Sequence, residues 1–119
     1  MKRLSKKEED IMELFWQNGD MTVSELREHM PDPKPHVNTI STQVRLLESN
    51  GFLGHNKEGM GYRYHAEISR DEYSNSSIGR IVSRCFENSY VDAVSALVKN
   101  DKISVDELEE LIRRIKEEG

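Results

Sequence analysis

The chain has 119 residues, of which 35% are hydrophobic and 33% charged, and it carries a net charge of −5. That is room for one domain, or for a small domain with an oligomerisation arm, and the thin apolar content predicts that a partner chain completes part of the core. No apolar run reaches the length of a membrane span and no signal peptide opens the chain, so a cytoplasmic location is expected. Cys85 is the single cysteine; it excludes an internal disulfide and a thiolate metal cluster within one chain, and its apolar helical context predicts a small buried hydrophobe.

In four places Ser or Thr is followed three residues later by Glu, just ahead of helix-periodic apolar residues: Ser5–Glu8, Thr22–Glu25, Ser69–Glu72 and Ser104–Glu107. Each is a capping box, in which hydroxyl and carboxylate satisfy the free backbone N–H groups of a helix start. The first predicts a helix over about 6–18, with Ile11, Met12, Leu14 and Phe15 inward, Trp16 structural, and Gly19 as the stop. After an extended link at Met21-Thr22, a second helix is expected over roughly 23–29. Pro31, Pro33 and Pro35 forbid its continuation and force a stiff connection.

A third helix is expected over 36–50, with Ile40, Val44 and Leu47 as its buried stripe and Gly51 as its stop. Away from that stripe lie Asn38, Thr39, Ser41, Thr42 and Arg45, short hydrogen-bonding side chains and one cation. The first carboxylate on this helix is Glu48, near its end. Such a face suits a groove lined by phosphates and base edges. Phe52 to Asn56 then reads as a strand, Lys57-Glu58-Gly59-Met60-Gly61 as a turn, and Tyr62 to His65 as a returning strand with both tyrosines on one face and Arg63 and His65 on the other. Two packed helices, an amphipathic third and a hairpin make a winged helix-turn-helix.

The acidic total weighs mildly against nucleic acid. Between residues 34 and 65, however, the cations Lys34, Arg45, Lys57 and Arg63 face only Glu48 and Glu58, with His36, His55 and His65 in the same stretch. The acids gather in Glu8-Glu9-Asp10 and from Asp101 onward. Lys34, Lys57 and Arg63 are therefore expected beside phosphates, His36 is counted with the DNA-binding residues, and Arg45 is the candidate for reading a guanine. The histidines lack the tight spacing of a ligand set, and no glycine-rich phosphate loop, HExxH, CxxC or GxSxG is present. No enzyme activity, metal or cofactor is expected.

From Ser69 onward only helices are expected: 70 to about 88, about 90–99, and 105–118. Their apolar stripes include Ile78, Val82, Phe86, Val94, Leu97, Leu108, Ile112 and Ile115. Three short helices cannot bury these by themselves, and packing against a second copy solves it. The fold class is mostly α with a small β wing, divided into a winged-helix DNA-binding domain over 1–68 and a helical dimerisation arm over 69–119.

On these residues the chain resembles the penicillinase and methicillin-resistance repressor family over nearly its whole length. The matching pieces are Leu4-Ser5 through Phe15-Trp16, Asn38-Thr39-Ile40-Ser41-Thr42, Leu47 through Gly51-Phe52, Tyr62-Arg63-Tyr64 and Ile103 through Leu108. The resemblance implies a homodimer that blocks transcription on a palindromic double-stranded DNA operator, with Thr39, Ser41 and Thr42 at base- and backbone-contacting positions. In the family an arginine commonly precedes the helix's last leucine; here Leu46 stands there and Arg45 one place earlier. The resemblance also implies induction by a membrane sensor with a zinc-protease domain and a cut in the arm, often at Asn-Phe; the matching pair here is Ala96-Leu97. The single cysteine sets the chain apart from the related copper-responsive branch, which carries paired cysteines. Two other readings stay open: a winged-helix module that binds protein, and a regulator that answers to a small molecule.

Overall fold

A computed structural model describes residues 1–118. The order is α1 (Lys6–Asn18), β1 (Met21–Thr22), α2 (Val23–Glu28), α3 (Val37–Ser49), β2 (Leu53–Glu58), β3 (Gly61–Ala66), α4 (Arg70–Cys85), α5 (Tyr90–Lys99) and α6 (Val105–Glu118). The strands form one antiparallel sheet in the order β1-β3-β2. Three helices followed by this hairpin are a winged helix-turn-helix. The chain divides into two compact units, Met1–Ser76 and a second from Ser77, with the division inside α4.

The capping residues set the helix starts. Ser5 and Glu8 satisfy each other's backbone N–H groups, as do Thr22 and Glu25. The same reciprocal pair of bonds joins Ser69 to Glu72 and Ser104 to Glu107. All four boxes expected from sequence are thus formed. In the first unit Ile11, Met12 and Phe15 of α1, Leu26 of α2, the α3 stripe Ile40, Val44 and Leu47, and Phe52, Leu53 and Tyr64 of the sheet close one core. Tyr73 of α4 belongs to that core: its ring meets Phe52 edge-on at 5.9 Å, it accepts the Leu4 N–H at 3.1 Å, and its hydroxyl donates to Glu9 at 2.8 Å. Trp16 packs on Tyr73 and donates its indole N–H to the Ile68 carbonyl at 2.8 Å, as a structural aromatic should.

Two boundaries differ from expectation. Lys57 and Glu58 are strand residues, paired with Tyr62 and Gly61, so the wing turn shrinks to Gly59-Met60. Gly59 takes φ 58° there, and a two-residue hairpin turn is tight because glycine accepts that angle. Helix α4 stops at Cys85 instead of running to about residue 88. Glu87 and Asn88 enter the left-handed region, and the Asn88 N–H reaches back to the Val82 carbonyl at 3.1 Å. That bond folds the chain back over the helix end, with two non-glycine residues in the left-handed region.

In the second unit α6 is amphipathic and buries no residue fully. Arg113 pairs with Glu110 and Glu117 on one side. Leu111, Ile112 and Ile115 are exposed on the other, with Leu108 half-buried. Cys85 is exposed, contrary to the expectation of burial. It follows Ile78 and Ile81 at helical spacing, and both are exposed too. The buried position of this part of α4 is Val82, which is 3% exposed. Val82 is therefore interior to the single chain, and Ile78, Ile81 and Cys85 form the outward stripe of α4. Among the described residues no helix is long and apolar enough to cross a membrane.

Candidate nucleic-acid interface

Helix α3 is presented by a pinned connection. His36 caps it, its Nδ1 accepting the Asn38 N–H at 3.0 Å. The Lys34 ammonium donates to the carbonyls of Arg27, Glu28 and Met30 at 3.2, 3.1 and 2.6 Å, closing the end of α2. Arg27 donates to the Pro35 carbonyl at 2.8 Å. Lys34, expected at a phosphate, and His36, expected among the DNA-binding residues, thus hold the chain that positions α3. Cations satisfy a helix C-terminus well because its last carbonyls lack partners.

The stripe Ile40, Val44 and Leu47 is fully buried and sets the roll of the helix. Asn38, Thr39, Thr42 and Arg45 are exposed on its outward side, while Ser41 is half-buried. Thr42 returns its hydroxyl to the Asn38 carbonyl at 2.9 Å. Arg45 donates through Nε to the Ser41 carbonyl at 3.2 Å, and its terminal nitrogens make no hydrogen bond among the described residues. Ser41 and Arg45 line one side of an open groove of about 350 Å³; Tyr62, Tyr64 and Glu58 of the wing and Thr22, Val23 and Ser24 at the start of α2 line the rest.

The wing has two unlike faces. His55, Tyr62 and Tyr64 stack on one, with His55 4.6 Å from Tyr62 and 5.6 Å from Tyr64 between ring centroids. His55 Nδ1 is also in short contact with the Glu48 carboxylate, which ties the wing to the end of α3. Lys57 lies opposite Tyr62 on this face and makes no ion pair among the described residues. Burial, then the Glu48 carboxylate, pushes the Tyr64 phenol above its ordinary pKa.

Arg63 points the other way. It donates to Glu58 at 3.0 Å, to Glu25 at 2.9 Å and to the Asp20 carbonyl at 3.1 Å. Its hydrogen bonds to Glu58, then to Glu25, raise its pKa further. The Glu25 carboxyl is held below its ordinary value chiefly by the Thr22 backbone N–H and hydroxyl, with Arg63 adding to the effect. Arg63, expected at a phosphate, is thus the clasp between wing and α2. His65 pairs with Glu67 at 2.7 Å on the same side of the sheet. Among the described residues no group of three histidine, cysteine or carboxylate side chains is placed to hold a metal.

Glu48, Tyr62 and the exposed Leu46 stand at the site beyond the residues expected from sequence. For Leu46 the signal lay in its offset from the Ile40–Val44–Leu47 spacing. For Glu48 and Tyr62 the signal is the register of the hairpin, which sequence leaves open. Of the expected dimerisation residues, Ile78, Val94, Leu97, Ile112 and Ile115 are exposed, Phe86 and Leu108 are half-buried, and Val82 is buried. The Ala96-Leu97 bond lies within α5, where the Leu97 carbonyl accepts the Lys102 N–H at 2.9 Å.

A family model described as Penicillinase repressor matches residues 4–117. The chain is 23% identical over 116 residues to the penicillinase repressor of Bacillus licheniformis, covering 97% of this chain and 91% of that protein. It is 20% identical over 109 residues to the methicillin resistance regulatory protein MecI of Staphylococcus aureus (strain N315), covering 91% and 89%. Among solved structures it is similar to the monomeric form of Bacillus licheniformis BlaI in complex with the blaP half-operator. That match has a TM-score of 0.51 and 25% identity, over 60% of this chain and 89% of that one.

Proposed function

Because this chain belongs to the penicillinase repressor family, we propose that it is a DNA-binding transcriptional repressor that acts as a homodimer on a two-fold symmetric operator. The observation that carries the reading is the outward side of α3. Asn38, Thr39, Thr42 and Arg45 stand exposed together with no carboxylate among them, over a fully buried stripe that fixes their direction. In this reading α3 enters the major groove and Arg45 reads a guanine, while Thr39, Ser41 and Thr42 touch base edges or phosphates. Lys57 meets the backbone beside the wing. The relative solved with a half-operator supports the choice of partner.

The exposed apolar faces of the second unit support the dimer. Val91 is 79% exposed and Ile115 57%, and α6 leaves most of its apolar side uncovered in the single chain. Faces of this kind mark protein contact surfaces. Two copies joined there hold two α3 helices for half-sites one or more helical turns apart. Switching off by a cut at Ala96–Leu97 belongs to the same reading, since it would separate α6 from α4. Its test is the mass of the fragments formed in induced cells, with an intact chain counting against it.

The net charge of −5 favours a second reading, a winged-helix module for a protein partner. Titration of duplex DNA at rising salt separates the two. The repressor loses affinity steeply as salt displaces its phosphate contacts, and the module binds no duplex even at low salt.

A further inference from the structure

We propose that Leu46 is a specificity-determining residue that reads thymine, packing on the 5-methyl group of one thymine in each half-site. This rests on the DNA-binding reading above and adds a base identity to it. Leu46 neighbours the buried Leu47 in sequence, but successive residues of a helix are turned by about 100°. The turn carries Leu46 off the buried stripe, and it is 48% exposed. Its neighbours one helical turn away are Thr42 and Ser49, both exposed, with Thr39 one turn beyond Thr42.

The outward surface of α3 therefore has two rows. Ser41 and Arg45 run along the groove against Tyr62 and Tyr64 of the wing. Thr39, Thr42 and Leu46 run on the side away from it. The Thr42 hydroxyl is committed to the Asn38 carbonyl, so beside Leu46 this second row has one hydroxyl already occupied and carries no charge. The backbone around Leu46 is held firmly, because its carbonyl accepts the Ser49 hydroxyl at 2.9 Å and the Asn50 amide at 3.0 Å.

An aliphatic side chain offers no hydrogen bond to a base edge. The apolar feature that the major groove presents is the thymine methyl, which distinguishes thymine from cytosine at the same position. Arg45 and Leu46, adjacent in sequence, then read different bases: one by charge and hydrogen bonds, the other by apolar contact.

The test uses the full-length protein and a duplex enriched from a random pool, with each thymine replaced in turn by deoxyuridine to remove only its methyl group. The wild type should lose about fourfold in affinity at one thymine per half-site, the worth of one buried carbon group. Leu46→Ala and Leu46→Gln should bind the thymine and uracil duplexes equally. If no replacement weakens the wild type, or both variants keep the same penalty, the thymine contact is overturned while duplex binding stands. If no duplex is enriched or bound at low salt, the DNA-binding reading fails, and the contact with it.

Discussion

Lys57 and Arg63 stand six residues apart on one hairpin and meet different surroundings. Arg63 has two carboxylates and a carbonyl around it, whereas Lys57 is exposed beside Tyr62. A lysine free in solution can neutralise a phosphate; an arginine already paired must first give up its partners. Lys57→Ala should therefore weaken every duplex alike and reduce the slope of log affinity against log salt by about 1, read by titration at several salt concentrations. Arg63→Ala should leave that slope unchanged and lower the melting temperature, because Glu25 and Glu58 are left side by side. Arg45→Ala should flatten the preference at one base position, worth about 1–3 kcal/mol if the contact is bidentate. An unchanged footprint would remove Arg45 from the reading set.

Helix ends carry the next level of organisation. Thr22 both caps α2 and ends β1, and its box partner Glu25 is also a partner of Arg63. Thr22→Ala should cost about 1 kcal/mol in equilibrium unfolding, the ordinary worth of a cap. The carboxyls of Glu25 and Glu107 are held below their ordinary value by the backbone N–H and hydroxyl of their box partners. A carboxyl lowered on folding stabilises the fold fully above the unfolded value of about 4.3, and that stabilisation is lost as pH falls through the lower folded value. Melting temperature should accordingly drop as pH is taken from neutral into the acid range, and Glu25→Gln should make that drop shallower.

These boxes also explain why so much of the architecture was legible in the sequence. Cap, spacing and stop all lie within one short continuous stretch, as in Ser5, Glu8 and Gly19 around α1. What was hidden depended on contacts between distant segments. Nothing near Arg63 in sequence announces Glu25, which is 38 positions away. Nothing near Lys34 says that its ammonium folds back onto α2. The end of α4 was hidden for another reason: neither Glu87 nor Asn88 is glycine, yet both take the left-handed conformation, and the Asn88 N–H returns to the Val82 carbonyl. At the interface, the buried stripe of α3 could be read directly, and with it the direction of Thr39, Thr42 and Arg45. The contact of Glu48 with His55 could not, since it needs the register of the wing.

At the scale of the whole molecule, the first unit closes a core while the helices of the second leave large apolar residues in water. Tyr90, Val91, Ile112 and Ile115 are all exposed in the single chain. A second copy covers such a surface and at the same time doubles the phosphate contacts, which a chain of net charge −5 needs. Charging that surface should therefore act at a distance. Ile112→Glu with Ile115→Glu should give a monomer by sedimentation, with the first unit still folded and duplex affinity lowered by orders of magnitude. The most direct single measurement is selection of duplexes from a random pool by the intact protein, followed by the mass of the complex it forms. The expected result is a palindrome bound by two chains. A single unpaired half-site held by one chain, or a pool from which nothing is enriched, would contradict it.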